Sequence, residues 1–330
     1  MKAMLLAAGA GTRLRPLTNR LPKVMVPVAN RPVLEYLVRH LAAQGFTDLA
    51  VNLNYLPDPI TAYFGDGSRW GVRITYSLEA GEVLGTAGGV KKLQSFLDGD
   101  SFLVMGGDDL TTADLRTFAA AHRAHEALAS ILVRHADDPS EYGLVQFSDD
   151  FRIAGFVEKP KDYPEGGGWV SAGIYCFHPR IFAEIPAESV YDFARQVFPA
   201  ILARGERFFV HQAAGYWRDI GHLGEYLAAN QELVRGIPGI AAPGEPRGSA
   251  RIEPGARLAA TATVEGFSLI GERAMVEAGA RIRDSVVGAR VRVGAEVVLE
   301  DCVVWPDTTI AAGARHRRAI LLPDEVVPVP

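Results

Sequence analysis

The chain has 330 residues, is 48% apolar and 22% charged, and carries a formal net charge of −5. The length predicts about two domains of roughly 150 residues each, the composition predicts a soluble globular protein with an ample core, and the acidic balance excludes a non-specific nucleic-acid binder. No run approaches the ~20 apolar residues of a membrane span, the apolar opening Ala3–Ala8 is too short for a signal sequence, and the only cysteines, Cys176 and Cys302, sit far apart in strand-like runs, so neither a disulfide framework nor a zinc site is expected and the cytoplasm is the natural compartment.

Short apolar runs alternate with helical patterns over the first two-thirds of the chain. Met4–Ala8, Leu49–Leu53, Arg73–Leu78, Phe102–Met105 and Ser130–Val133 are predicted as buried strands. Val33, Leu34, Leu37, Val38 and Leu41 recur at helical spacing, with Pro32 at the start and Gly45 past the end. Thr111 or Thr112 is expected to cap a second helix that runs to about His125. Leu144–Phe147 and Ile153–Val157, on either side of Asp149-Asp150, predict a hairpin, so the sheet should be mixed. The pattern predicts an α/β fold over residues 1–235, with a mostly parallel mixed sheet of Rossmann-like type.

Residues 236–249 are rich in glycine and proline, lack periodicity and are expected to be a linker. From 250 to 330 the chain repeats every six residues. Aliphatic positions fall at Ile252, Leu258, Val264, Ile270, Val276 and Ile282 and, after one five-residue step, at Val287, Val293, Leu299 and Trp305. Four residues after each comes a small or β-branched side chain: Ala256, Ala262, Ser268, Ala274, Ala280, Val286, Val291, Val297, Val303 and Thr309. Such a period predicts a left-handed hexapeptide β-helix, whose stacked edges must be capped or paired.

The charge pattern is most uneven at the amino terminus. Lys2, Arg13, Arg15, Arg20, Lys23 and Arg31 precede the first acid, Glu35, and they surround the turn Gly9-Ala-Gly11 at the end of a strand. Glycine lets backbone N–H groups approach a phosphate, and the cations balance its charge. A dinucleotide fingerprint would need a further glycine where Leu14 stands, and a phosphate-binding P-loop would need Gly-Lys-Ser/Thr where Thr12-Arg13 follow. A glycine turn that presents Arg13 and Lys23, stiffened by Pro16, Pro22 and Pro27, reads as a preorganised polyphosphate clamp. The histidines His40, His122, His125, His135, His178 and His222 show no shared ligand spacing.

The run Leu6-Ala-Ala-Gly9-Ala-Gly11-Thr12-Arg13-Leu-Arg-Pro-Leu-Thr18, then Pro22-Lys23 and Pro27-Val28, resembles the signature of sugar-phosphate nucleotidyltransferases, the nucleotide-sugar pyrophosphorylases. Leu84-Gly85-Thr86-Ala87-Gly88, Gly107-Asp108, Glu158-Lys159-Pro160, Ala172-Gly173 and Trp217-Arg-Asp219-Ile-Gly221 follow in that family's order, so the resemblance covers nearly the whole chain. It implies attack of a sugar-1-phosphate oxygen on the α-phosphorus of a nucleoside triphosphate, with charge neutralisation and alignment as the main catalytic devices. Arg13, Lys23 and Lys159 are the implied catalytic cations. The nucleotide would lie against Leu6, Ala8, Gly9, Gly11, Thr12, Arg13, Lys23, Gly85 and Thr86, and the sugar against Gly143, Glu158, Lys159 and Gly173. Asp108, with Asp109 as a rival one position on, and Asp219 would hold Mg²⁺. Glu79 is a candidate for reading a guanine N–H edge.

Ser77 and Glu79 before Leu84, together with Cys302-Val-Val-Trp305-Pro306, are most like mannose-1-phosphate guanylyltransferases. Glucose-1-phosphate thymidylyltransferases and amino-sugar-1-phosphate uridylyltransferases share most of the motifs, and Gly65-Asp-Gly-Ser-Arg-Trp-Gly71 also occurs in the uridylyl branch. A non-catalytic regulatory subunit would be expected to lack Arg13, Lys23 or the metal acids, all of which are present. An acyltransferase tail would need more coils and a catalytic histidine, and His316 is the only histidine past the linker. The tail is expected to serve homo-oligomer contacts or regulation.

Overall fold

Ala3, Met4 and Leu5 are wholly buried because their strand, Ala3–Leu6, runs through the middle of a sheet. It pairs in parallel with Asp48–Leu53 on one side and Phe102–Gly106 on the other, and Arg73–Leu78 adds in parallel beyond Asp48–Leu53. In this register Leu6 lies between Asn52 and Gly106, so the three residues share the carboxyl edge of the parallel strands. Beyond Phe102–Gly106 the direction reverses. The long strand Gly168–Phe177 pairs antiparallel with Phe102–Gly106, with Ala129–Ala136 and with Gly143–Phe147. Gly143–Phe147 forms the expected hairpin with Ile153–Glu158, and Phe208–Gln212 joins Ala129–Ala136 in parallel. The fold is therefore α/β with a mixed sheet, its parallel strands centred on Ala3–Leu6.

The pairing of Gly168–Phe177 with Ala129–Ala136 breaks between Ser171 and Tyr175, and Gly173 in the break has φ +69°. A bulge of this kind bends the strand and re-aims its side chains. Helices Val33–Ala43, Gly85–Lys92, Leu115–Ala124 and Phe198–Ala203 accompany the sheet. Leu115–Ala124 is capped by Asp114, whose carboxylate accepts from the N–H groups of Arg116 and Thr117, and not by the threonines before it. Those hydroxyls are already used: Thr111 accepts from the Ala113 N–H at 3.1 Å and Thr112 from the Tyr216 N–H at 2.9 Å. Val90, Phe102, Ile131, Phe177, Phe193 and Phe198 form the centre of the core around these elements.

The computed structural model describes residues 1–329. It forms two compact units: Met1–Ala10, Asn19–Val24 and Leu37–Trp217 make the first, and Gly11–Thr18, Met25–Tyr36 and the chain from Arg218 onward make the second. The second unit contains helix Leu223–Arg235 and then three-sided coils of short parallel strands. One face stacks Ile252, Ile270, Val287, Val304 and Leu321, the next Leu258, Val276, Val293 and Ile310, and the third Val264, Ile282, Leu299 and His316. These stacks establish the hexapeptide β-helix and correct its register at one point. Val304, not Trp305, continues the stack on Val287, so a second five-residue step follows Leu299. Alternation along the strand turns Trp305 outward, where its indole N–H donates to the Tyr226 hydroxyl. The small residues shift as well, to Ser285, Cys302 and Thr308 in place of Val286, Val303 and Thr309. Leu269, Val286 and Arg292 donate N–H bonds to the carbonyls of Ser285, Cys302 and Thr308.

Part of the glycine- and proline-rich segment is ordered, since Glu245–Arg247 pairs antiparallel with Ala250–Ile252 at one edge of the first face. Val326–Pro328 pairs antiparallel with Ala319–Leu321 at the other edge. Both ends of that face are thus closed against further strand addition. Cys176 and Cys302 are free, buried thiols. Among the described residues no helix is long and apolar enough to cross a membrane.

Candidate functional site

At the carboxyl edge of the parallel strands, where open α/β sheets take their ligands, the first unit has a pocket of about 370 Å³. Leu6, Ala8 and Gly9 of the first turn line one part of it, Gly85 and Thr86 another, and Asp108 and Gly173 a third. Gly9 has no atom within 4 Å of the position a Cβ would take, so its backbone faces open space. Asn52, which sequence reasoning passed over, sets the turn: its Oδ1 accepts from the Ala7 N–H at 2.8 Å, and its Nδ2 donates to Glu79 Oε1 at 2.7 Å. Glu79 Oε2 in turn accepts from the Leu84 N–H at 2.9 Å. With both oxygens engaged and only 2% of its surface exposed, Glu79 braces the loop and does not face the pocket as a base reader.

The loop Leu84–Gly88 rests on the segment 189–193. Tyr191 N–H donates to the Leu84 carbonyl, and the N–H groups of Ala87 and Gly88 donate to the Tyr191 carbonyl. A Cβ at Gly85 would come within 2.6 Å of the Tyr191 carbonyl oxygen, and φ there is +74°, so glycine is required for this close approach. Thr86 donates its hydroxyl to Asp192 Oδ2 and accepts from the Phe193 N–H, both at 2.9 Å. Asp192 and Tyr175 also line the pocket.

Asp108 and Asp109 follow the strand Phe102–Gly106. One oxygen of each lies 3.0 Å from the position a Cβ on Gly106 would occupy, and their carboxylates offer oxygens within 4.8 Å of each other. Two hard oxygen donors beside a bare glycine fit a divalent cation. Lys23 forms an ion pair with Asp108, while Asp109 is buried, with Oδ2 3.3 Å from the Cβ position of Gly173.

At the sugar-side positions, Glu158 ends its strand with a carboxyl pKa raised by desolvation and then by the Asp192 carboxylate. Lys159 has φ +49°, donates its N–H to the Tyr142 carbonyl, and extends its ammonium to 3.5 Å from Glu141. The space beside Gly143 is occupied, since Phe156 Cζ lies 2.3 Å from its Cβ position. Glycine there admits an aromatic ring of the facing strand.

The second unit holds the remaining predicted residues. Gly11, with φ +59°, opens the short turn Thr12–Leu14, and its carbonyl accepts from the Leu14 N–H and the Thr18 hydroxyl. Asp219 Oδ2 and Arg13 Nη1 lie 2.9 and 3.6 Å from the Cβ position of Gly221, so a side chain at that glycine would fill the space between them. Arg218 is gripped by Glu225 and by both oxygens of Glu232, fixing the chain before Asp219 to helix Leu223–Arg235.

Residues 2–236 match the family model described as nucleotidyl transferase. The chain is a sugar-phosphate nucleotidyltransferase. Residues 256–330 match a model described as GlmU-like, C-terminal hexapeptide. A UTP–glucose-1-phosphate uridylyltransferase of Synechocystis is 35% identical over 96% of this chain and 85% of its own length. A mannose-1-phosphate guanylyltransferase of Mycobacterium tuberculosis is also 35% identical, over 90% of this chain and 82% of its own. A crystal structure from Bacillus anthracis, provisionally named a glucose-1-phosphate thymidylyltransferase, aligns with a TM-score of 0.62 at 26% identity and covers 72% of this chain and 96% of that one. This nucleotidyltransferase is an enzyme whose relatives join nucleotides to sugar 1-phosphates. Its pocket residues Asn52, Tyr175 and Asp192 carried no local motif; only the place of Asn52 at a strand's carboxyl end could have marked it.

Proposed function

We propose that the enzyme transfers a guanylyl group from GTP to mannose 1-phosphate, giving GDP-mannose and pyrophosphate. The observation that carries the reading is the pocket at the sheet edge. It has the open backbone of Gly9 on one wall, Gly85 and Thr86 on another, and Asp108, ion-paired with Lys23, on its lining. The Mycobacterium tuberculosis relative supports the choice of guanine and mannose. In this reading the base and ribose lie against Leu6, Ala8, Gly9, Gly85 and Thr86. Gly11, Thr12 and Arg13 meet the departing pyrophosphate, Lys23 the α-phosphate, and Lys159 the phosphate of the sugar. Glu158 and Gly173 hold the sugar, with Gly143 shaping the hairpin behind them.

A phosphate monoester is already ionised near neutral pH, so the reaction needs no general base. Charge compensation and in-line placement carry the rate. Asp108 and Asp219 are assigned to Mg²⁺, which supplies charge neutralisation at the phosphates when bound. Residues 1–235 form the catalytic portion in this reading, 236–249 the connection and 250–330 the hexapeptide portion of a cytoplasmic homo-oligomer. A second reading, UTP with glucose 1-phosphate, is favoured by the Synechocystis relative of equal identity. Pyrophosphate release measured across five nucleoside triphosphates and several sugar 1-phosphates tests both. GTP with mannose 1-phosphate should give the highest kcat/KM, and a preference for UTP with glucose 1-phosphate would replace the first reading by the second.

A further inference from the structure

Shortly after Lys23 the chain makes a tight hairpin in which Pro27–Val28 pairs antiparallel with Arg31–Pro32. Its two turn residues, Ala29 and Asn30, have φ of 43° and 65°. An alanine keeps such a backbone only where its surroundings over-determine it. Here the surroundings come from helix Leu223–Arg235 and the β-helix, all within the second unit. Ala29 N–H donates to Asn230 Oδ1 at 2.8 Å. Asn30 Nδ2 donates to Glu253 Oε2 at 2.8 Å and to the Val287 carbonyl at 3.2 Å. The Tyr226 hydroxyl donates to the Pro27 carbonyl at 2.7 Å and accepts from Trp305 Nε1 at 3.0 Å. Tyr226 and Asn230 have no exposed surface, and Trp305 has only 5%.

We infer that Trp305 and Tyr226 are positioning residues for catalysis: the β-helix, through the Trp305–Tyr226–Pro27 relay, sets the course of the hairpin that follows Lys23. The same unit carries Arg13 in Gly11–Thr18 and Asp219 ahead of helix Leu223–Arg235. The tail is thus a scaffold for part of the phosphate-binding segment. This rests on the reading in which Arg13 and Lys23 act on the phosphates. The outward turn of Trp305, which breaks the six-residue pattern, is what makes the relay possible.

The test uses the full-length protein. Tyr226→Phe removes the hydroxyl and keeps the ring; it should lower kcat about tenfold while KM for both substrates stays within about twofold, the signature of misplacement and not of lost binding. Trp305→Phe should act in the same direction and more weakly. Val293→Ala, inside the β-helix stack and away from the hairpin, should lower Tm and leave kcat within about twofold. Hydrogen–deuterium exchange gives a readout independent of turnover: Tyr226→Phe should speed exchange at the hairpin amide of Ala29 about tenfold, and Val293→Ala should not. Unchanged Ala29 exchange in Tyr226→Phe overturns the relay whatever the activity. An equal loss of kcat in Val293→Ala overturns it too, because general loosening would then suffice. Inactivity of the wild type on every sugar 1-phosphate would instead strike the proposed function and leave the exchange result to decide the relay.

Discussion

Replacing Asn52 by alanine tests the brace that joins the first turn to the second loop. The substitution leaves the Ala7 N–H and Glu79 Oε1 without their partners at 2.8 and 2.7 Å, in a place where Asn52 and Glu79 are each only 2% exposed. A buried polar group left unsatisfied costs roughly 1–3 kcal/mol, so two would cost about 2–6 kcal/mol. Asn52 also lines the pocket, so a water can enter and satisfy one of them, which lowers the expected loss to about 1–3 kcal/mol. Asn52→Asp makes a sharper comparison. It keeps an acceptor for Ala7 but sets a carboxylate against Glu79, raising the new acid's pKa in the fold. A raised acid pKa gives stability that is present at low pH and lost as pH rises through the folded value. Asn52→Asp should therefore be closer to wild type at pH 4 than at pH 7. Urea unfolding followed by tryptophan fluorescence, together with KM for the nucleotide, measures both effects. A loss below about 0.5 kcal/mol in Asn52→Ala, with KM unchanged, would refute the brace.

Arg13→Ala should lower turnover about 10²–10³-fold under saturating substrates, the loss typical of one transition-state charge stabiliser; an unchanged rate removes Arg13 from the mechanism. Asp108→Asn takes away one hard donor and an ion-pair partner of Lys23, so it should shift the Mg²⁺ titration of activity to higher concentration, and superimposable titration curves would reassign the metal acid. His122 is 1% exposed, and burial, then His178 and Arg123, lower its pKa from 6.5 to about 4. A depressed pKa on a base gives stability that is full above the unfolded value and lost as pH falls through the folded one. The wild type should therefore lose on the order of 3 kcal/mol between pH 6.5 and 4 from this group. His122→Leu should flatten that part of the stability profile, and an unchanged slope would place the acid sensitivity elsewhere.

The strands and the hexapeptide period were legible because burial imposes a pattern on consecutive residues. Met4 and Leu5, or Phe102 and Val104, read as buried wherever their partners come from. Of the pocket lining, the sequence marked only residues in local motifs, Gly9, Gly85, Thr86 and Asp108 among them. What failed was long-range. Asn52 meets Ala7 across 45 residues and Thr86 meets Asp192 across 106, distances at which spacing carries no signal. The direction of Glu79 depended in part on Asn52, 27 residues earlier in the chain. The Leu115–Ala124 cap went to Asp114 because both threonines had hydrogen bonds elsewhere. Trp305 was misread because its indole counts as apolar in a periodic pattern, while a seventeen-residue coil places Val304 in the stack.

The acid-free amino-terminal run is not, in the folded protein, a patch of uncompensated charge. Lys23 pairs with Asp108, and Arg13 approaches the same point beside Gly221 as Asp219. Lys23 and Arg13 thus each have a carboxylate nearby that is brought from far along the sequence, one in each unit. In the proposed function an arriving polyphosphate would compete with these resident acids for the cations, because a lysine ammonium shared with a carboxylate offers less field to a second anion. On the proposed reading, a divalent cation held by these carboxylates would free the basic side chains for the phosphates. In that reading the acids would do two things, hold a divalent cation and compete with phosphate for the basic side chains, so that acids at positions 108 and 219 temper a run that carries no Asp or Glu for thirty-four residues.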